Sequence, residues 1–219
     1  MKKTTETTSD KIISEYMDTV LVNGKNPESI YQFSKKMNIE ESEFYKHFSS
    51  FEQIENEIFS LFSENSIKLL EKNKDFNKFT SKDKLLSFYY TFFENLTANR
   101  SYVFFALNGF DSKLQSFKKL SKMKETFIEF VNTLEVERIN LTQEKLQKIQ
   151  NKGIEEGFWI QLLLTLKFWM KDTSPSFEKT DIFIEKSIHA SFEAMNTKPV
   201  KSIIDFGKFI LKENMNFKL

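Results

Sequence analysis

The run from Pro27 to Ile54, PESIYQFSKKMNIEESEFYKHFSSFEQI, constrains the fold more than any other part of the chain. Ile30, Phe33, Met37 and Ile39 recur at helical spacing behind Ser29, and Asn38 stands where that helix must stop. Asparagine tolerates the left-handed backbone that such a turn requires. From Glu41 to Phe48 a second helix of barely two turns follows. Phe44 and Phe48, four apart, share its buried face, while Tyr45, Lys46 and His47 point elsewhere. Two short helices about a turn, the second presented, with a longer helix from Phe51, predict a helix-turn-helix.

The rest of the chain keeps helical period without sustained alternation, so the fold class is all-α, with about nine or ten helices. Its 5 glycines and 3 prolines fall where helices would be interrupted: Gly24 and Pro27, Gly109, Gly153 and Gly157, Pro175 and Pro199, with Gly207 alone inside a predicted helix. Ser9 is the expected cap of a first helix through Val22, and Pro27 stands near the start of the second. A fourth helix spans Phe51 to about Lys72 with Ile54, Ile58, Leu61, Phe62 and Leu69 inward. Helices are then expected from Thr80 to Arg100, from Tyr102 to Asn108, and through Lys113 to Gln150 as one piece or two. Lys113, Lys118, Lys119, Lys122 and Lys124 read as a solvated face of that stretch. Gly153 and Gly157 should bracket a turn before FWIQLLLTLKFWM, and a further helix runs from Phe177 to Met195. The expected division is a helix-turn-helix domain over 9–54 and a larger helical domain over 55–219.

Several chemistries have no residues to carry them. The chain has no cysteine, and His47 and His189 are its only histidines, so thiol catalysis is excluded and no metal or other cofactor is expected. No phosphate-binding glycine loop, nucleophile elbow or H-E-x-x-H helix occurs, and no catalytic residue is expected. No apolar run approaches the roughly 18 residues of a membrane span, and the opening MKKTTETTSD has no apolar core; the expected location is cytoplasmic.

The order Ser-Ile-x-x-Phe-Ser-x-x-Met-Asn-Ile-x-x-Ser-x-Phe-Tyr-x-His-Phe resembles the signature of the TetR family of bacterial regulators, over roughly Asp10 to Phe62. The resemblance implies a second helix that enters the major groove. Ser42, Glu43, Tyr45, Lys46 and His47 would then lie at DNA, with Ser29, Lys35 and Lys36 as phosphate partners. Glu40, Glu41 and Glu43 crowd that helix, and between Met1 and Ser60 eleven acids face seven bases. Phosphate neutralisation supplies most non-specific affinity, so such a head grips DNA poorly unless its lysines are well placed. Acids in a first helical turn also complement the helix dipole.

The same resemblance implies a homodimer through the last large helices. A helix apolar nearly all round must be covered by its own core or by a partner, and Phe158, Leu162, Trp169, Ile184 and Ile188 are the expected interface, with Phe168 a further candidate. Phe88, Phe92, Phe105, Trp159, Leu163 and Phe168 are the expected lining of a pocket for an apolar small molecule. From Phe168 to Glu193 the chain is also similar to the lipid-binding ubiquinone-biosynthesis proteins that share the TetR fold. By that analogy Val200, Ile203, Ile204, Phe206, Ile210, Leu211 and Met215, with Lys201, Lys208, Lys212 and Lys218, form an amphipathic end over 200–219 suited to peripheral membrane contact. The reading is a ligand-responsive regulator that binds operator DNA as a homodimer; the alternative is a lipid or isoprenoid carrier on the same fold that does not bind DNA.

Overall fold

The computed structural model describes residues 8–107, 118–136 and 144–195. Among them are nine α-helices, two single 3-10 turns (Phe76–Lys78 and Pro175–Phe177) and no strand. In chain order the helices are α1 (Ser9–Asn23), α2 (Ile30–Lys36), α3 (Glu41–Tyr45), α4 (Phe51–Glu71), α5 (Ser81–Ala98), α6 (Arg100–Ala106), α7 (Ser121–Thr133), α8 (Glu144–Lys171) and α9 (Glu178–Met195). The segment over 200–219, with Pro199 and Gly207, lies outside the described residues, as do Asn108, Gly109 and Lys113.

Local chemistry sets the helix ends. Thr8, not Ser9, caps α1, its hydroxyl accepting the Lys11 N–H at 3.3 Å. Gly24 closes α1 at φ +63°, a backbone state in which a Cβ is strained. Helix α2 begins at Ile30 and leaves Pro27 outside, because the Ser29 hydroxyl accepts the Gln32 N–H at 3.2 Å. Asn38 turns the chain at φ +56°, as its position in the motif requires. Helix α3 is shorter than its sequence pattern, but the Phe48 N–H still reaches the Phe44 carbonyl at 3.0 Å, which keeps both rings on the inner face.

The described residues form two compact units, one drawn from residues up to Lys68 with Phe92–Thr126, the other from Leu69–Thr91 with Phe127 onward. The helix-turn-helix therefore shares its unit with α6 and the start of α7, where a cut after Ile54 was expected; α1 packs on α6. One ring from each of the first four helices, Tyr16, Phe33, Phe44 and Phe51, closes the head, with contacting centroids 5.4 to 6.3 Å apart. Such pairs contribute about 0.5–1.5 kcal/mol each beyond their burial. Ile54, Ile58 and Phe62 of α4 are buried as their spacing predicts, but Leu69 is 56% exposed.

In the second unit, Phe88 stacks on Phe130 at 4.9 Å, and Phe127 lies 6.3 Å from Trp159. Helix α8 runs unbroken through Gly153 and Gly157, contrary to the expected turn. A glycine inside a helix costs only about 1 kcal/mol relative to alanine, which continuous flanking hydrogen bonds outweigh. Helices α8 and α9 pack through Phe158 on Phe192 (5.9 Å) and Phe168 on Phe183 (4.6 Å). Between them Gln161 donates to Ser187 at 3.2 Å and accepts from Ser191 at 3.1 Å.

The corner between α8 and α9 is built around Asp172. The buried Asp172 carboxylate accepts from the Ser174 N–H (2.8 Å) and hydroxyl (2.7 Å), and from the Thr180 N–H (2.9 Å) and hydroxyl (2.7 Å). Those bonds also hold a corner in which Ser176 and Phe177 both adopt positive φ. Burial pushes the Asp172 carboxyl up, but the hydrogen bonds from Ser174 and Thr180 outweigh it and hold the group well below the usual carboxylate range. A depressed folded value means that this stability is fully present above the unfolded value of about 3.9 and is lost as pH falls through the folded one. Asp172→Ala is expected to cost about 2 kcal/mol at neutral pH. In urea melts between pH 7 and pH 2 the gap between variant and parent should narrow only at the acid end.

Candidate nucleic-acid interface

Helix α3 presents Ser42, Tyr45 and Lys46 to solvent, with Glu43 and His47 half-buried beside them and the Phe44 ring fully buried behind. The Tyr45 ring is fixed edge-on to Phe44 at 5.7 Å, so its phenol points outward from a rigid base. Most of the charges expected at DNA already have partners. Lys46 donates to Glu43 Oε2 at 2.6 Å, while His47 Nε2 lies 3.9 Å from Glu43 Oε1. Lys36 turns back onto α1, 2.8 Å from Glu15 Oε1 and 2.8 Å from the Thr19 hydroxyl. Lys35 lies 5.6 Å over the exposed Tyr31 ring, a residue that the sequence reading missed although it stands four positions before the lysine. Ser29 is the α2 cap, and its hydroxyl oxygen is already engaged by Gln32.

Behind the head, α4 is anchored by a polar ladder within the first unit. Lys119 donates to Glu55 Oε1 at 3.1 Å and to the Ala106 carbonyl, which ends α6, at 3.1 Å. Tyr16 of α1 donates to the same Glu55 oxygen at 3.0 Å. Burial first, and then the Glu55 charge, holds the Tyr16 hydroxyl far above the usual tyrosine range, so it remains a donor. Along α4, Asn56 accepts from Ser121 at 2.9 Å, Glu57 pairs with Lys122, and the Ser60 and Thr126 hydroxyls meet at 3.0 Å. Lys119 and Lys122, expected on a solvated face, are therefore tied to acids that the sequence places 64 and 65 residues away.

The sequence model described as the tetracyclin repressor-like, C-terminal domain matches residues 84–210, more than half of the chain. The chain belongs to the TetR family. No curated protein matches it.

The matched region of this TetR-family chain holds the remaining candidate residues. Phe158, Leu162, Trp169, Ile184 and Ile188, expected between two copies, are buried in the chain's own core. Helices α8 and α9 turn toward each other the faces that period alone would offer equally well to a partner. Apart from Ile149 near the start of α8, 59% exposed, their exposed large apolar positions are instead Ile160 and Leu164, each 54% exposed, and Ile182, 50% exposed. Two open cavities of about 480 and 590 Å³ lie beside these positions and share Phe168, Lys179 and Phe183. Of the six expected pocket residues, Phe92 and Phe105 belong to the first unit and Phe88, Trp159, Leu163 and Phe168 to the second. Phe88 and Phe92 are fully buried, Trp159 nearly so, and Leu163, Phe105 and Phe168 are half-buried. Phe168 lines the open cavities rather than an enclosed one. Among the described residues no helix is long and apolar enough to cross a membrane, and no cluster of histidine, aspartate and glutamate could hold a metal ion.

Proposed function

We propose that this TetR-family chain is a transcriptional regulator that binds operator DNA as a homodimer and responds to an apolar small molecule. The observation that carries the proposal is α3, which offers Ser42, Tyr45 and Lys46 on one exposed face of a head locked by four rings. Ser42, Glu43 and Tyr45 are then the groove-facing residues, with His47 at their edge. Lys35, Lys36 and Lys46 supply phosphate contacts, beside the α2 start at Ser29.

The partner proposed for Ile160, Leu164 and Ile182 is a second copy of the chain. A twofold axis through that stripe would bury it on both copies at once. The effector is assigned to the second unit, beside Phe88 and Trp159, where Phe127 and Phe130 complete an aromatic wall. Helix α4 contributes residues to both units and is the proposed route from effector to head. Peripheral membrane contact through 200–219 stays a proposal about residues outside those described. Selection of genomic fragments by the purified protein at low salt tests the regulator reading. Enrichment of a discrete sequence with inverted symmetry is expected, and recovery of nothing above background would leave a carrier as the better account.

A further inference from the structure

The head carries an excess of acid, yet its acids are not scattered at random over its surface. Glu43 holds Lys46 at 2.6 Å, Glu15 holds Lys36 at 2.8 Å, and Glu28 holds Lys25 at 2.8 Å. The first two lysines are the ones assigned to phosphates. We propose that this head binds DNA by exchange, in which a phosphate displaces an internal carboxylate from Lys36 and from Lys46. Glu15 and Glu43 thereby become the residues that keep its grip on non-cognate duplex weak. The inference rests on the DNA-binding reading and adds its regulation.

Exposed ion pairs of this kind contribute only about 0.2–1 kcal/mol, so a phosphate can open them. Each lysine that neutralises a phosphate normally releases condensed cations, which gives a slope of about −0.9 in log K against log salt per contact. Here the displaced carboxylate stays close to its lysine, so the pair brings almost no net positive charge to the phosphate and few condensed cations leave the DNA. The displaced carboxylate also remains beside the DNA and repels it. A sequence-independent encounter therefore gains little, and base contacts from α3 must supply the difference between cognate and random duplex. The Thr19 hydroxyl, 2.8 Å from Lys36, adds a second acceptor that phosphate must replace, so the Glu15 arm should open less readily than the Glu43 arm.

The test is fluorescence anisotropy of a mixed-sequence duplex titrated with the full-length protein across a salt series. The proteins are the parent, Glu43→Gln, Glu15→Gln and the double variant, each checked for an unchanged melt. Glutamine keeps the shape and removes the charge. Each single change is expected to steepen the salt slope by about 0.9 and to tighten mixed-sequence binding several-fold, with the double variant near the sum. Glu41→Gln is the charge control, since Glu41 shares the first turn of α3 and has no lysine partner among the described residues. It should leave the slope nearly unchanged. Unchanged slopes in the Glu43 and Glu15 variants, or equal steepening by Glu41→Gln, would overturn the exchange while leaving DNA binding intact. Failure of every protein to bind any duplex at low salt would instead overturn the regulator reading, and the exchange with it.

Discussion

Replacing Lys119 by methionine is expected to destabilise the protein by about 3 kcal/mol, at the lower end of the range for breaking a buried ion pair because the lysine retains some solvent contact. Glu55 is only 4% exposed, and without Lys119 its carboxylate keeps a single described donor, the Tyr16 hydroxyl. The change also removes the ammonium that caps the Ala106 carbonyl. For a chain of this size the expected fall in melting temperature is about 6–12 °C. The double variant Glu55→Met with Lys119→Met tests the cause. If the penalty comes from an uncompensated buried charge, the double variant recovers much of the loss, since an apolar pair of similar volume can replace a buried salt bridge at little cost. Additive losses in chemical melts would assign the effect to packing instead.

Leu164→Glu is expected to leave the chain folded and to abolish the proposed dimer. Leu164 is more than half exposed in the protomer, so glutamate there meets water in the monomer. In the proposed dimer the charge would be buried opposite its own symmetry mate. A desolvated, unpaired charge costs about 3 kcal/mol or more, which weakens association a hundredfold or more. Sedimentation of parent and variant over a concentration series reads this directly. A parent that is monomeric at micromolar concentration, or a variant that dimerises as well as the parent, would remove Ile160, Leu164 and Ile182 from the interface.

Sequence period located the head well because its geometry is local. The turn at Asn38, the stop at Gly24 and the inward Phe33, Phe44 and Phe48 each depend on neighbours within a few positions. Helix starts were less legible: Ser29 and Thr8 compete with Pro27 and Ser9, and only the backbone shows which hydroxyl reaches an amide. The ladder from Glu55 to Lys119 could not be read at all, because an amphipathic basic stretch looks solvated until its acidic partner is placed beside it. Helix α8 failed for a different reason. FWIQLLLTLKFWM is apolar on nearly every side, so period cannot say which face meets α9 and which remains outside; packing chose Leu162 and Trp169 for the core and left Ile160 and Leu164 exposed.

In the proposed complex, two copies of the α3 face read one duplex. Hydroxyl-radical footprinting on the fragment recovered by selection, with the stoichiometry of the complex measured on the same duplex, tests it most directly. Two protected half-sites related by inverted symmetry are expected, their centres about 34–36 Å apart or a multiple of that, with one dimer bound. Protection of a single half-site by a monomer, or no protection at low salt on any fragment, would contradict it.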